Sequence, residues 1–229
     1  MSCFWLRIEA PFAAFRAFQA GVYRSSAPVI PPSAAYGLIL NLAGIEMRDS
    51  ENRLTTGIRK GLPKIELATG LLSSPGRATI YQQLHSYPVG NSGKEIASLA
   101  KGAKFWITPV RREILTDYVG VIGVRTDDLS LQNKVIAGLR GEIDRKYGLP
   151  FAGDNNLLFS KIDVHEERPA GAIWYLRHEK GETNVRGSCR LYVGIDRFDN
   201  SKTISDIYVP RDDIQGELPA NAWTQTSYD

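Results

Sequence analysis

The chain has 229 residues, of which 43% are hydrophobic and 23% are charged, and its formal net charge at pH 7 is +3. These values are those of an ordinary soluble globular protein with one large domain or two small ones. No run of about 18 apolar residues is present, so we expect no membrane span. The opening residues MSCFWLRIEAP lack the basic start and apolar core of a signal peptide. Two cysteines, and no Cys/His cluster at metal-ligand spacing, favour a reducing cytoplasm and predict no metal or other cofactor.

The first two predicted elements are a strand and a buried helix. Apolar and polar residues alternate over residues 4–10, which predicts a strand with one buried face. The segment 34–43 is apolar nearly all round, and a helix of this composition is buried. Two prolines precede Ser33, which we expect to be the helix N-cap, and Gly44 follows the last apolar residue, where helices commonly end.

The elements that follow are mostly strands. Apolar residues recur every four positions over 131–147, which predicts a second helix. Strands are predicted at 62–72, 78–87, 104–110, 114–125, about 156–164, 171–177, 189–195 and 203–209. Residues 1–165 therefore run strand, helix, two or three strands, helix, strand, which is the ferredoxin-like order shared by RNA-recognition modules.

A polar segment interrupts two of these strands. Residues 88–103, PVGNSGKEIASLAKGA, are best explained as a long hairpin or arm that projects from the sheet. We therefore predict an α+β fold with a ferredoxin-like (RNA-recognition-type) core, a projecting β-hairpin thumb and a C-terminal β extension. In this prediction residues 1–229 form one domain, with the core at about 1–165, the thumb at about 84–112 and the extension at about 166–229.

The charge is distributed unevenly along the chain. Between Arg77 and Arg112 six lysines and arginines stand against one acid, whereas between Asp196 and Asp229 seven acids stand against three basic residues. A one-sided basic segment is what a phosphate backbone attracts, although a solvated surface loop has the same composition.

Two groups of residues are candidates for RNA binding. The first group surrounds the start of the first helix, where free N–H groups form an anion site and small residues allow close approach; the alternative is that the prolines and serine only start a helix. Its members are Arg16, Arg24, Ser25, Ser26, Ser33 and Tyr36. The second group lies within the basic segment, where aromatic residues could stack on the bases of single-stranded RNA and cationic residues could contact its phosphates. The alternatives are that these side chains pack in the core or are simply exposed to solvent. Its members are Arg77, Gln83, His85, Lys101, Lys104, Trp106, Arg111 and Arg112.

Three stretches resemble a known family. They are APFAAFR at the end of the first strand, YRSSAPVIPPSAAYGLILNLAG into the first helix, and ATIYQQLHSYPV leading into the arm. Together with the element order they resemble the Cas-five family of CRISPR-associated proteins, over about residues 3–165. The DevS-like branch of type I-B systems is the most similar.

The resemblance implies a function that composition alone does not give. Proteins of this family hold the 5′ handle of the guide RNA (crRNA) in type I Cascade complexes. They contact a backbone subunit of the Cas-seven type and a large subunit of the Cas-eight type, and through the complex they meet target DNA indirectly. The expectation is a non-catalytic RNA-binding subunit without a membrane contact.

The alternative is a metal-independent endoribonuclease that processes precursor guide RNA, as one branch of the family does. The catalytic tyrosine, lysine and histidine of that branch do not recur clearly in this chain. A different site could use His85 with Tyr81 or Lys104, but no spacing requires it. A third reading is a plain ferredoxin-like module that binds a protein or a small ligand.

Overall fold

A computed structural model describes residues 2–17, 23–49, 57–86, 106–145, 148–179, 185–212 and 214–226, without the side chains of 84–86, 106–108 and 200. Two α-helices are present in these residues, α1 (Pro32–Leu42) and α2 (Leu131–Leu139). The strands are β1 (Ser2–Ala13), β2 (Tyr23–Arg24), β3 (Ile65–Leu71), β4 (Gly76–Ser86), β5 (Trp106–Thr126), β6 (Lys161–His165), β7 (Ile173–Arg177), β8 (Cys189–Gly194), β9 (Ile204–Arg211) and β10 (Thr224–Thr226). The protein is thus α+β, as the sequence predicted, and is dominated by strands.

The described strands form one sheet with the order β6-β1-β5-β3-β7-β9-β8. Every pair in this series is antiparallel. The three strands β7, β9 and β8, which were predicted as additional strands, continue the sheet beyond β3. The short β10, which the sequence did not predict, also pairs with β3.

The start of α1 differs from the prediction at the N-cap. Pro31 occupies the N-cap position, Pro32 begins the helix, and no side chain caps it, so Ser33 is not the cap but lies inside the first turn. Proline fits the first helical position because its missing N–H would have no partner there. At the other end Gly44 has φ of 67°, and the N–H of Ile45 donates to the carbonyl of Leu40 at 2.9 Å. This glycine end was predicted correctly.

Helix α2 is shorter than predicted. It ends at Leu139 instead of continuing to residue 147, because Gly141 adopts φ of 75° and closes the helix in the same way as Gly44 closes α1. Gly138 lies against the end of α1, where a Cβ atom would overlap the carbonyl oxygen of Leu42. Ile143, the next residue in the apolar spacing, is therefore not helical, and Tyr147 lies outside the described residues.

Strand β5 joins two segments that the sequence predicted as separate strands. Its second half pairs with β1 and β3 in the sheet, and its first half pairs with β4 and β2. Asp117 lies between the two halves with φ of 53°, a left-handed conformation that side chains larger than glycine rarely adopt. The predicted arm at 88–103 lies outside the described residues, whereas β4 and β5, on either side of it, form one hairpin.

Two apolar clusters cover the two faces of the sheet. The larger one lies beneath α1 and α2 and contains the stripe Ala35, Leu38, Ile39 and Leu42, all of them buried. The smaller one is built around three tryptophans. The ring centroid of Trp5 lies 5.4 Å from that of Trp174 and 5.7 Å from that of Trp223. None of the helices in the described ranges has the length and apolar character needed to cross a membrane.

Candidate nucleic-acid interface

The β4–β5 hairpin is the exposed part of the sheet. Strand β4 pairs with β5 from Gly76 opposite Thr116 to Ser86 opposite Trp106, and the two-residue β2 lies along the other side of β5. Beyond Leu115, toward residue 106, β5 no longer pairs with β1. The hairpin therefore extends past the sheet that carries the core.

Three side chains form a row across this hairpin. Arg111 of β5 is in register with Tyr81 of β4 on one side and with Tyr23 of β2 on the other. Residues in register point to the same face of a sheet, so Arg111 lies between the two tyrosines in strand register. Tyr81 is 71% exposed and Tyr23 is 41% exposed, and Arg111 is also exposed. We call these three residues the Tyr-Arg-Tyr row.

The contacts inside the row hold the arginine over one ring. The Nε atom of Arg111 donates to the hydroxyl of Tyr81 at 3.4 Å, and its guanidinium carbon lies 5.6 Å from the centroid of the ring. This hydrogen bond raises the pKa of Arg111 above its ordinary value. Exposed aromatic faces beside a fixed cation are the chemistry with which proteins stack unpaired bases and hold phosphates.

A buried carboxylate fastens the base of the hairpin. Glu113 is 8% exposed, and its Oε1 atom accepts a hydrogen bond from Nη1 of Arg77 at 2.8 Å. Its Oε2 atom accepts from the backbone N–H of Ser26 at 2.9 Å, and the Ser26 hydroxyl donates to the Glu113 carbonyl at 2.6 Å. One residue of β5 thus joins β4 to the segment that leads into α1.

The neighbouring Arg112 makes a second fastening. Its Nη1 atom lies 2.9 Å from Oδ2 of Asp154 in a largely buried ion pair, and its Nη2 atom donates to the carbonyl of Ala14 at 3.2 Å. Consecutive strand residues point to opposite faces, so Arg112 and Glu113 secure the hairpin on both sides. Arg77 and Arg112 therefore have acidic partners within the protein, although Arg77 is 50% exposed, whereas the exposed Arg111 contacts Tyr81.

The structure brings several of the predicted residues to this surface. Gln83 is exposed on β4, two positions from Tyr81, and Arg24 is exposed on β2, in register with Arg112. Arg16 is exposed and bridges to Ser26 through the backbone, and Ser25 is partly buried beside it.

Other predicted residues have structural partners instead. Ser26 is buried against Glu113, and Ser33 is 8% exposed inside the first turn of α1. Tyr36 is fully buried and its hydroxyl donates to the carbonyl of Pro63 at 2.8 Å, so it is not part of this surface. His85 and Trp106 lie at the far end of the hairpin, where the structure describes only the backbone, and Lys101 and Lys104 lie outside the described residues.

Sequence reasoning missed four residues that shape the site. Tyr23 belongs to the row through a strand of only two residues, and Glu113 and Asp154 are the acids that fasten the hairpin. The hydroxyl of the buried Tyr118 accepts the N–H of Ile30 at 3.1 Å, just before α1, and burial raises the pKa of that phenol. The one available signal was that an acid, Glu113, directly follows the basic segment. Within the described ranges no group of three or more His, Cys, Asp or Glu side chains could hold a metal.

One protein-family model matches more than half of the chain. The family model described as "CRISPR-associated protein (Cas_Cas5)" matches residues 3–142. The chain is also similar to a solved structure titled "CRISPR RNA-guided surveillance complex", with 15% identity, a TM-score of 0.56, and coverage of 91% of this chain and 90% of that chain. A second, "Crystal structure of Cas protein", has 11% identity, a TM-score of 0.50, and coverage of 91% and 93%. Comparison with curated proteins gives no match.

Proposed function

Since the chain belongs to the Cas-five family of CRISPR-associated proteins, whose model matches more than half of it, we propose that it is a non-catalytic RNA-binding subunit of a type I Cascade effector complex. In this role it caps the 5′ handle of the guide RNA and contacts the backbone subunit of the Cas-seven type and the large subunit of the Cas-eight type. The fold shared with a CRISPR RNA-guided surveillance complex supports this proposal.

The core of this subunit is, in our proposal, ferredoxin-like. The series β1, α1, β3, β5, α2, β6 has the strand–helix–strand–strand–helix–strand order of that fold. Its four strands lie side by side as β6-β1-β5-β3, all antiparallel, with both helices over the larger apolar cluster. Strands β7, β9 and β8 then form the extension, and β4 with the first half of β5 forms the base of the thumb.

The observation that carries the RNA-binding role is the Tyr-Arg-Tyr row on a fastened hairpin. Single-stranded RNA is bound by stacking on aromatic side chains and by cations that meet the phosphates. Tyr23, Arg111 and Tyr81 supply both, and the buried contacts of Glu113 and Arg112 fix the strand between them. A preorganised row loses less conformational entropy on binding than lysines in a loop.

Charge reversal at the centre of the row tests this role. Arg111→Glu should weaken the affinity for the repeat-derived 5′ handle about tenfold. It should also make the dependence of log affinity on log salt concentration less steep, reducing the magnitude of the negative slope by about one. Binding is measured by fluorescence anisotropy of labelled RNA at several salt concentrations. Thermal melting of the variant should stay near that of the parent, because Arg111 is exposed.

Arg197→Glu is the matched control, because it makes the same charge change at an exposed arginine of the extension. It should leave the salt slope unchanged. If Arg111→Glu binds RNA as tightly as Arg197→Glu, the RNA is held elsewhere. If the parent protein and its assembled complex bind no guide RNA, the proposed function itself is wrong.

The non-catalytic part of the proposal has its own test. Repeat RNA incubated with the purified protein in the absence of divalent metal should be retained but remain intact. Specific cleavage at the repeat would identify the protein as the endoribonuclease of the alternative reading, and His85→Ala would then show whether that histidine is the base.

A further inference from the structure

A second surface, lined by none of the residues of the Tyr-Arg-Tyr row, has the composition of a protein interface. A groove of about 620 Å³ runs along the outer side of α1 between Gly37 and Met47, and a smaller one of about 380 Å³ continues it toward β6. Arg145 lines both grooves. We call this continuous surface the α1 groove.

Three large apolar side chains are exposed along the α1 groove. Leu149 is 61% exposed, Phe151 is 49% exposed and Leu158 is 45% exposed. The backbone of Phe151 bridges to that of Leu158, so these side chains are neighbours although they are not consecutive in sequence. A contiguous apolar patch with a polar rim marks a surface that another molecule covers.

The rim of the α1 groove is basic. Arg48 pairs with Glu46 at 3.2 Å and Lys161 pairs with Asp163 at 2.8 Å, so these two cations are neutralised. Arg59 and Arg145 form no ion pair with any other residue in the described ranges, and Asp144 is the corresponding unpaired acid in the lining. Among the residues that the structure describes, the groove thus offers two unpaired cations against one unpaired anion.

We propose that the α1 groove binds an acidic, apolar segment of a neighbouring protein subunit, and not RNA. Two of the three exposed apolar residues, Leu149 and Leu158, are aliphatic. An aliphatic side chain packs well against apolar side chains of another protein but offers no flat face on which a base can stack. Phenylalanine, methionine and arginine, which the lining also contains at Phe151, Met47 and Arg59, are enriched in protein interfaces. Unpaired arginines at the rim favour aspartates and glutamates on the partner.

This inference rests on the proposed membership of a multi-subunit complex. It is tested in the assembled complex, purified after co-expression with the proteins of the neighbouring genes and the guide RNA. The photo-reactive residue p-benzoylphenylalanine replaces Leu149 in one variant, Tyr81 in a second and Ile204 in a third. Ile204 is as exposed as Leu149 but belongs to β9, outside the groove. After irradiation, adducts are identified by mass spectrometry.

The expected result is a protein adduct from the Leu149 variant and an RNA adduct from the Tyr81 variant. The cross-linked protein segment should contain acidic residues beside apolar ones, and Arg145→Glu should reduce retention of that subunit about tenfold, with no such change for Arg197→Glu. An RNA adduct at Leu149, no adduct, an adduct as frequent as that of the Ile204 variant, or a basic partner segment would each overturn the inference. Loss of the Tyr81–RNA adduct alone would instead show that the RNA is not held at the Tyr-Arg-Tyr row, and an assembled complex without guide RNA would contradict the proposed function; neither result would overturn this inference.

Discussion

Replacing Glu113 with glutamine tests whether one buried carboxylate holds the hairpin to the rest of the protein. Glutamine has the same shape but offers one acceptor oxygen where glutamate offers two, and Glu113 uses both, for Arg77 at 2.8 Å and for the N–H of Ser26 at 2.9 Å. The amide group of the variant must therefore face one of two donors.

The loss of stability expected for Glu113→Gln follows from how exposed its two hydrogen-bond partners are. The side chain of Arg77 is 50% exposed and can turn to water, so the remaining oxygen should stay on Ser26, which is buried. The bond to Ser26 then changes from a charge-assisted to a neutral hydrogen bond, a loss of about 1–2 kcal/mol. For a protein of this size that lowers the melting temperature by about 3–6 °C.

The assay is thermal melting of Glu113→Gln beside Glu9→Gln, followed by RNA binding of both. Glu9 pairs with Arg7 at 2.9 Å on the surface of β1, so the same substitution there should cost less than about 0.5 kcal/mol. The affinity for RNA should fall for Glu113→Gln, but less than for Arg111→Glu, because the row loses its support and not its charge. Equal melting temperatures for the two glutamine variants would refute the reasoning.

Two further predictions concern packing and reactivity. Gly138→Ala should destabilise the protein by several kcal/mol, since the added Cβ has no room against α1. Gly37→Ala should instead stabilise it by about 1 kcal/mol, since the space around that Cβ position is open. Urea unfolding of both variants measures the difference in the free energy of unfolding. In native protein at pH 8, maleimide should label the exposed Cys3 faster than Cys189, whose pKa burial raises to about 12. Because the folded pKa of Cys189 exceeds the unfolded value, its contribution to stability is complete below that unfolded value and declines as the pH rises above it. Equal labelling rates would show that Cys189 is accessible and ionised.

Local patterns in the sequence were sufficient for most elements. The alternation over residues 4–10 predicted β1, and the apolar composition of 34–43 predicted α1, because both signals depend only on which side chains share a face. The family resemblance was also confirmed, by a match over residues 3–142. The spacing over 131–147 overestimated α2, since the backbone conformation of Gly141 overrides an apolar repeat.

The site was harder to predict because its partners are far apart in the chain. Arg111 and Arg112 look alike in sequence, yet one faces solvent and the other is paired with Asp154. Ser26 and Glu113 are 87 positions apart, and no local pattern indicates that they meet. The same holds for Tyr23, whose place in the row depends on a two-residue strand pairing with β5.

The three-tryptophan cluster has a consequence for the order in which the protein can form during its synthesis. Trp5 comes from the first strand, Trp174 from the extension and Trp223 from the segment before β10, so the cluster joins residues more than two hundred positions apart. Chains fold from the N-terminal end as they leave the ribosome. Until residue 223 has emerged, the cover of Trp5 and of the second face of the sheet is incomplete, and the nascent chain exposes an apolar surface to chaperones for most of its translation.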